Sequence, residues 1–185
     1  MNGKQYLDNT IKLAQYYKKL GNSTFDQLKE DDIHWSAGDS SNSISCIVKH
    51  LWGNMLSRWT NLMTEDGEKS WRQRDAEFVD DIQTMDEMLS KWDEGWNCFI
   101  SAIQSLNPED LDKTIYIRNE GQSVMDAIQR QMAHYPMHIG QIIYAGKIMR
   151  GDEWISLSIP KGNSQSYNEK KFANEKADKH FTDEL

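Results

Sequence analysis

At 185 residues, 38% of them hydrophobic, the chain is long enough for one domain with a sizeable core, and no polar linker divides its first 150 residues. Its 21 basic and 29 acidic residues give a net charge of −8 with the acids spread along the chain, which excludes a phosphate-tracking surface and with it nucleic acid as a partner. Two cysteines, no apolar run near the ~20 residues that span a bilayer, and a Met1–Leu20 stretch without a continuous apolar segment together predict a soluble cytoplasmic protein with no membrane partner.

The first predicted helix, Lys4 to Leu20, places Leu7, Ile11, Ala14 and Tyr17 at helical spacing and is expected to stop at Gly21-Asn22. A polar connection follows, in which Asp39-Ser-Ser-Asn-Ser43 supplies several N-cap candidates for a second helix. There Ile44, Ile47, Val48, Leu51, Met55, Trp59 and Leu62 recur at steps of three and four, with a stop expected at Asp66-Gly67. Residues 67 to 80 are charged and non-periodic, the pattern of a long ordered loop.

The third helix is the clearest: Ile82, Met85, Met88, Leu89, Trp92, Trp96, Phe99, Ile100, Ile103 and Leu106 form one stripe closed by Asn107-Pro108. "TIYIRNEGQS", from Thr114, predicts a short extended pair with its turn at Glu120-Gly121. The fourth helix starts near Ser123, with Asp126 three residues on as a capping signal, and stops at Gly151 after Arg150. Beyond it the chain turns polar, an arm followed by a terminal helix or a frayed end. Four amphipathic helices predict an all-α bundle, in which sites lie between facing helices. Cys46 and Cys98 sit within apolar-periodic segments as buried thiols, and the closely spaced Trp35, Trp52 and Trp59 form either core packing, the commoner case, or a pocket wall.

"QMAHYPMHIGQIIY", residues 131 to 144, sets two histidines and a proline inside the otherwise apolar fourth helix. His134 and His138 are four positions apart, so they lie about 40° apart and about 6 Å along one face, at the edge of the Val124, Ile128, Tyr135 and Ile142 stripe. Two imidazoles so placed suit one metal ion, and catalytic zinc-type sites take three protein ligands with one position open. His34, His50 and His180 are the other histidines, and spacing does not choose among them. Pro136 frees the Met132 carbonyl and is expected to kink the axis beside the pair. No His-Glu-x-x-His, Glu-x-x-His, Cys-x-x-Cys, glycine-rich phosphate loop or Gly-x-Ser-x-Gly is present, so the other common site classes lack support.

Three segments carry a resemblance: "SNSISCIVKHLWGNMLSRW" with the loop "DGEKSWRQRD", then "IRNEGQSVMDAIQRQMAHYPMHIGQIIYAGK", then "LSIPKGNSQSYN". In that order they resemble the branch of the DinB-like superfamily marked by Ser-Asn-Ser-Ile and Gly-Asn-Met-x-Ser-Arg-Trp signatures. The resemblance implies a four-helix bundle connected up-down-down-up over residues 1–170, with a polar tail at 171–185, and a homodimer. It also implies a divalent metal ion, zinc or nickel, on one histidine of the second helix and two of the fourth, which fall on His50, His134 and His138.

The superfamily further implies a metal-dependent thiol S-transferase or hydrolase acting on a small electrophile, with a low-molecular-weight thiol as a partner molecule. The alternative is a non-catalytic, metal-stabilised bundle acting as a binding or stress-related scaffold. Polar side chains near the histidines are pocket candidates: Asn54 and Arg58 follow His50 by one and two turns, and Gln141 follows His138. Asn54 or Gln141 would orient a ligand imidazole. Arg58 with Arg72, Arg74 or Arg118 would clamp a carboxylate, against the default that these arginines pair with the chain's own acids.

Overall fold

Asn2 caps the first helix by accepting the Gln5 N–H at 2.8 Å, and α1 (Gly3–Phe25) buries Leu7, Thr10, Ala14 and Gly21. The computed structural model describes residues 2–183; position 1 and the last two positions of the expected polar tail, 184–185, lie outside them. α1 runs past the stop expected at Gly21-Asn22, because both residues serve Trp92. A Cβ on Gly21 would stand 2.3 Å from the indole, and Asn22 Oδ1 accepts the indole N–H at 2.7 Å. The glycine is a packing notch, not a terminator.

Ser43 Oγ accepts the Cys46 N–H at 3.2 Å to open α2 (Ile44–Trp59), which ends well before the expected Asp66-Gly67. Asn61 adopts the left-handed conformation, with φ 51°, and asparagine is among the few residues that tolerate it. An ordered loop follows, with a 3₁₀ turn at Asp75–Phe78. α3 (Met85–Ser105) starts later than the Ile82 expected, since Thr84 Oγ1 accepts the Glu87 N–H at 3.1 Å; Ile82 is buried from the extended segment before this cap.

Strands β1 (Thr114–Ile117) and β2 (Glu120–Ser123) pair antiparallel, from Thr114 opposite Ser123 to Ile117 opposite Glu120. The turn is therefore Arg118-Asn119, not Glu120-Gly121. Both residues have positive φ, 56° and 60°, the type I′ pattern that matches strand twist. The Asp66 carboxylate accepts the N–H groups of Arg118 and Asn119 at 2.8 and 2.9 Å, and so ties the turn to the loop after α2. α4 (Val124–Arg150) is capped by Ser123, continues unbroken through Pro136 and stops at Gly151, φ 52°.

α2 packs on α3 and α1 on α4, while α1 also touches α3 and α2 touches α4. Edge-to-face rings fill the space between them, with centroids 5.4 Å apart for Trp92–Trp96 and 5.3 Å for Phe99–Tyr135. Trp59 Nε1 donates to Tyr135 Oη at 2.9 Å, and that hydroxyl donates to Asn54 Oδ1 at 3.1 Å, so these buried polar tips are satisfied. Of the three expected clustered tryptophans only Trp59 joins this core; Trp52 bonds Glu94 and lies under Lys91, and Trp35 is half-buried beside Tyr144 and Ile148. Cys46 is buried and Cys98 half-buried, both as free thiols.

The chain after α4 is strapped to α1 by Gln27, which accepts the Ile155 N–H at 2.8 Å and donates to its carbonyl at 3.2 Å. It ends in an exposed α5 (Ser164–Phe172) and a Lys12–Asp183 ion pair at 2.8 Å. No helix among the described residues is long and apolar enough to cross a membrane.

Gly21→Ala forces the α1–α3 contact apart and is expected to lower unfolding free energy by about 1–3 kcal/mol in a urea titration, as overpacking does. Backbone N–H groups of Asn119 and Glu68 hold the Asp66 carboxyl below the usual carboxylate range. Because its folded pKa is depressed, its contribution is complete above the unfolded value and lost as pH falls through the folded one. Asp66→Asn should therefore unfold more easily than the parent at pH 7, with the gap closing in strong acid.

Candidate metal centre

His50 projects from the middle of α2, and His134 and His138 from successive turns of α4. The packing of α2 against α4 brings the three rings together, with His134 Nε2 3.2 Å from His50 Nε2 and 3.0 Å from His138 Nε2. Among the described residues these three form a potential ligand group, one ligand atom from each lying within 4.8 Å of the others. His34, by contrast, pairs with Asp80 at 2.9 Å, and His180 bonds Thr182 at 2.7 Å.

Each ring is held at its other nitrogen. His50 Nδ1 meets Glu77 Oε2 at 2.8 Å, His134 Nδ1 meets Gln131 Oε1 at 3.1 Å, and His138 Nδ1 meets Gln141 Oε1 at 2.8 Å. An oxygen acceptor at Nδ1 requires the proton there, which leaves the lone pair on Nε2. With each ring neutral, the lone pairs of His50 and His138 both face His134 Nε2 at hydrogen-bond distance, an arrangement that a cation between them relieves. Bonds of about 2.0–2.1 Å at tetrahedral angles separate ligand nitrogens by about 3.4 Å, close to the spacing seen. The donor set thus fits a divalent ion that takes imidazole, and identifies no particular metal.

Burial, and then the nearby charges of His138, His50, Arg72 and Arg130, pull the His134 pKa down to about 4. Burial foremost, with His50, also lowers that of His138, against the opposing hydrogen bond to Gln141. Both rings are therefore neutral at neutral pH, the form that coordinates.

Glu77 is the residue that sequence spacing misses. It lies in the charged loop, only 5% exposed, and Arg72 binds it through Nε at 2.7 Å and Nη2 at 2.9 Å. Burial pushes its carboxyl up, but the bonds from His50 and Arg72 outweigh this and hold it below the usual range. Gly53 makes the room, since a Cβ there would stand 2.5 Å from Glu77 Oε1. Gln131 was detectable, because it precedes His134 by three positions and so shares its face.

Of the pocket candidates, Gln141 contacts a histidine, while Asn54 is buried and accepts from Tyr135 instead of orienting an imidazole. Arg58 is buried and donates to the Gly67 carbonyl and to Glu68. A cavity of about 350 Å³ opens beside the rings, with His50, His134, His138, Asn54 and Arg58 in its wall.

Residues 1–163 match a family described as "Protein of unknown function (DUF1572)". The chain belongs to the DUF1572 family. The matched stretch contains all three histidines together with Glu77, Gln131 and Gln141, and it ends just before α5. Comparison of this DUF1572 chain with curated proteins gives no match.

Gly53→Ala should displace the Glu77 carboxylate from His50 without touching His138. In proton NMR the downfield His50 Nδ1–H signal is expected to vanish while that of His138 persists. Retention of both would show that Gly53 does not set the carboxylate's position.

Proposed function

We propose that this DUF1572 protein is a divalent-metal-dependent enzyme, a thiol S-transferase or hydrolase acting on a small electrophilic molecule. The observation that carries the reading is the convergence of three Nε2 atoms whose rings are each pinned through Nδ1. Its resemblance to the DinB-like superfamily supports the same ligand set, along with a four-helix bundle connected up-down-down-up. An open site is supported by two facts: the potential ligand group among the described residues holds three side chains, and the cavity adjoins them. Structural zinc sites are closed by four protein ligands, whereas catalytic ones keep a position free. That contrast favours an enzyme over a metal-stabilised scaffold.

His50, His134 and His138 would hold the ion, and Glu77, Gln131 and Gln141 would fix the tautomer and aim of each ring. A divalent ion so held supplies Lewis acidity that keeps a thiol or a water deprotonated near neutral pH. The Tyr135–Asn54 hydrogen bond stiffens the wall between α2 and α4 at the turn adjoining the histidines.

Protein purified without chelator is expected to carry about one zinc or nickel per chain by elemental analysis, and the His134→Ala/His138→Ala variant almost none. Equal metal in both would sink the proposal. Glu77→Gln should weaken metal binding by about 10–100-fold, the usual effect of losing a carboxylate behind a histidine ligand. Turnover is tested by offering the metal-loaded protein several low-molecular-weight thiols with a generic electrophile, and activated esters without thiol.

A further inference from the structure

The wall of the cavity beside the histidines has a composition unlike the rest of the chain. Arg58, Arg72, Arg74, Arg118 and Arg130 all line it, and no aspartate or glutamate among the described residues does, in a protein whose net charge is −8. The nearest acids lie behind this wall and offset only part of its charge. Glu77 is shared between Arg72 and His50. Glu68 is shared by Arg58 at 3.0 Å and Arg118 at 3.1 Å, with Arg72 at 3.9 Å.

Two further observations show guanidinium capacity left over. Arg74 and Arg130 form no ion pair or side-chain hydrogen bond among the described residues. Arg58 and Arg72, 7% and 9% exposed, each keep one buried nitrogen without a hydrogen bond, Nε and Nη1 respectively, the latter 3.9 Å from Glu68 Oε2. Proximity of like charge is also evident in Arg58 itself: burial first, and then Arg72 and Arg118, lower its pKa, against the opposing bond to Glu68.

We infer that the arginine wall is an oxyanion subsite, binding a carboxylate or phosphate group of the substrate and so directing the substrate's reactive end to the three histidines. This deepens the proposed function and rests on its reading of the cavity as a reaction site. Guanidinium forks suit both oxyanions, because their paired N–H groups match two oxygens of either. Arg130 stands on the same helix as His134 and close enough to influence its charge, so an anion held there lies next to the rings. The apolar stretch of the wall, Ile47 and Phe78, would take the body of the molecule.

The test uses the full chain and calorimetric titration with inorganic phosphate and, separately, succinate, each in chelator-treated and zinc-loaded protein. The key variant is Arg74→Gln/Arg130→Gln, which removes the two exposed, unpaired arginines and leaves the buried pair intact. Its control is Lys161→Gln/Lys176→Gln, an equal change of net charge on the exposed C-terminal arm. Saturable binding of either probe to the parent and the control, weakened about tenfold or more in the arginine variant, is the expected result. Binding of phosphate alone or succinate alone supports the subsite and names the group it prefers. Equal affinity in the arginine variant, or binding of neither probe, overturns it. The His134→Ala/His138→Ala protein separates the two ideas: retained binding in that metal-free variant leaves the subsite standing whatever the fate of the metal reading. Metal content that depends on the histidines, with no anion binding, leaves only the metal reading.

Discussion

One buried carboxylate governs the architecture around the histidines. Glu77 sits in a loop between α2 and α3, and an isolated charge at such depth would be expelled or protonated. It remains because Arg72 binds it with two nitrogens and His50 with a third, and because Gly53 leaves its helix face bare at that point. Glycine inside a helix is unfavourable by about 1 kcal/mol relative to alanine, so its presence in the middle of α2 follows from the carboxylate it admits. Loop, helix and imidazole are thereby locked as one unit.

The same economy of partners shapes the rest of the loop. Ser57 Oγ bonds the Gly67 carbonyl at 2.7 Å and accepts the Lys69 N–H at 3.2 Å, while Asp66 clamps the hairpin turn. Lys49 reaches the Ala76 carbonyl at 2.7 Å and Asp81 at 2.6 Å. A charged, non-periodic segment is thus ordered without an apolar stripe of its own. Its Glu68 and Glu77 turn toward α2 and the hairpin, while Arg72 and Arg74 line the cavity. A negatively charged chain can in this way present a locally positive recess, since surface charge averages out over the molecule but not over a few ångströms.

Rigidity reaches the site from the core. Tyr135 neighbours His134 in sequence and packs between Trp96 and Phe99, while its hydroxyl joins Trp59 to Asn54. Burial raises the Tyr135 pKa well above that of a free phenol, so the group stays neutral and donates its proton. One face of α4 is therefore anchored in aromatic packing, and the adjacent face carries His134 and His138 at a set height.

Local sequence alone identified four long helices, the Ser123 cap, the Gly151 stop and the shared face of His134 and His138, and it narrowed the cap of α2 to the Asp39–Ser43 group without choosing Ser43, because each depends on residues within a turn or two of one another. Gly21 misled as a terminator, Asp66-Gly67 as a helix end and Glu120-Gly121 as a turn, since a glycine's local freedom does not say whether a Trp92 ring, an Ile117 side chain or a strand partner lies beside it. His50 and Glu77 are 84 and 57 residues upstream of His134, and no local pattern links them. Only the packing of α2 on α4, with a loop folded back over α2, decides that three imidazoles share one point and that arginines surround it. Distance along the chain carries no information about direction in space until the core has chosen which helix faces meet.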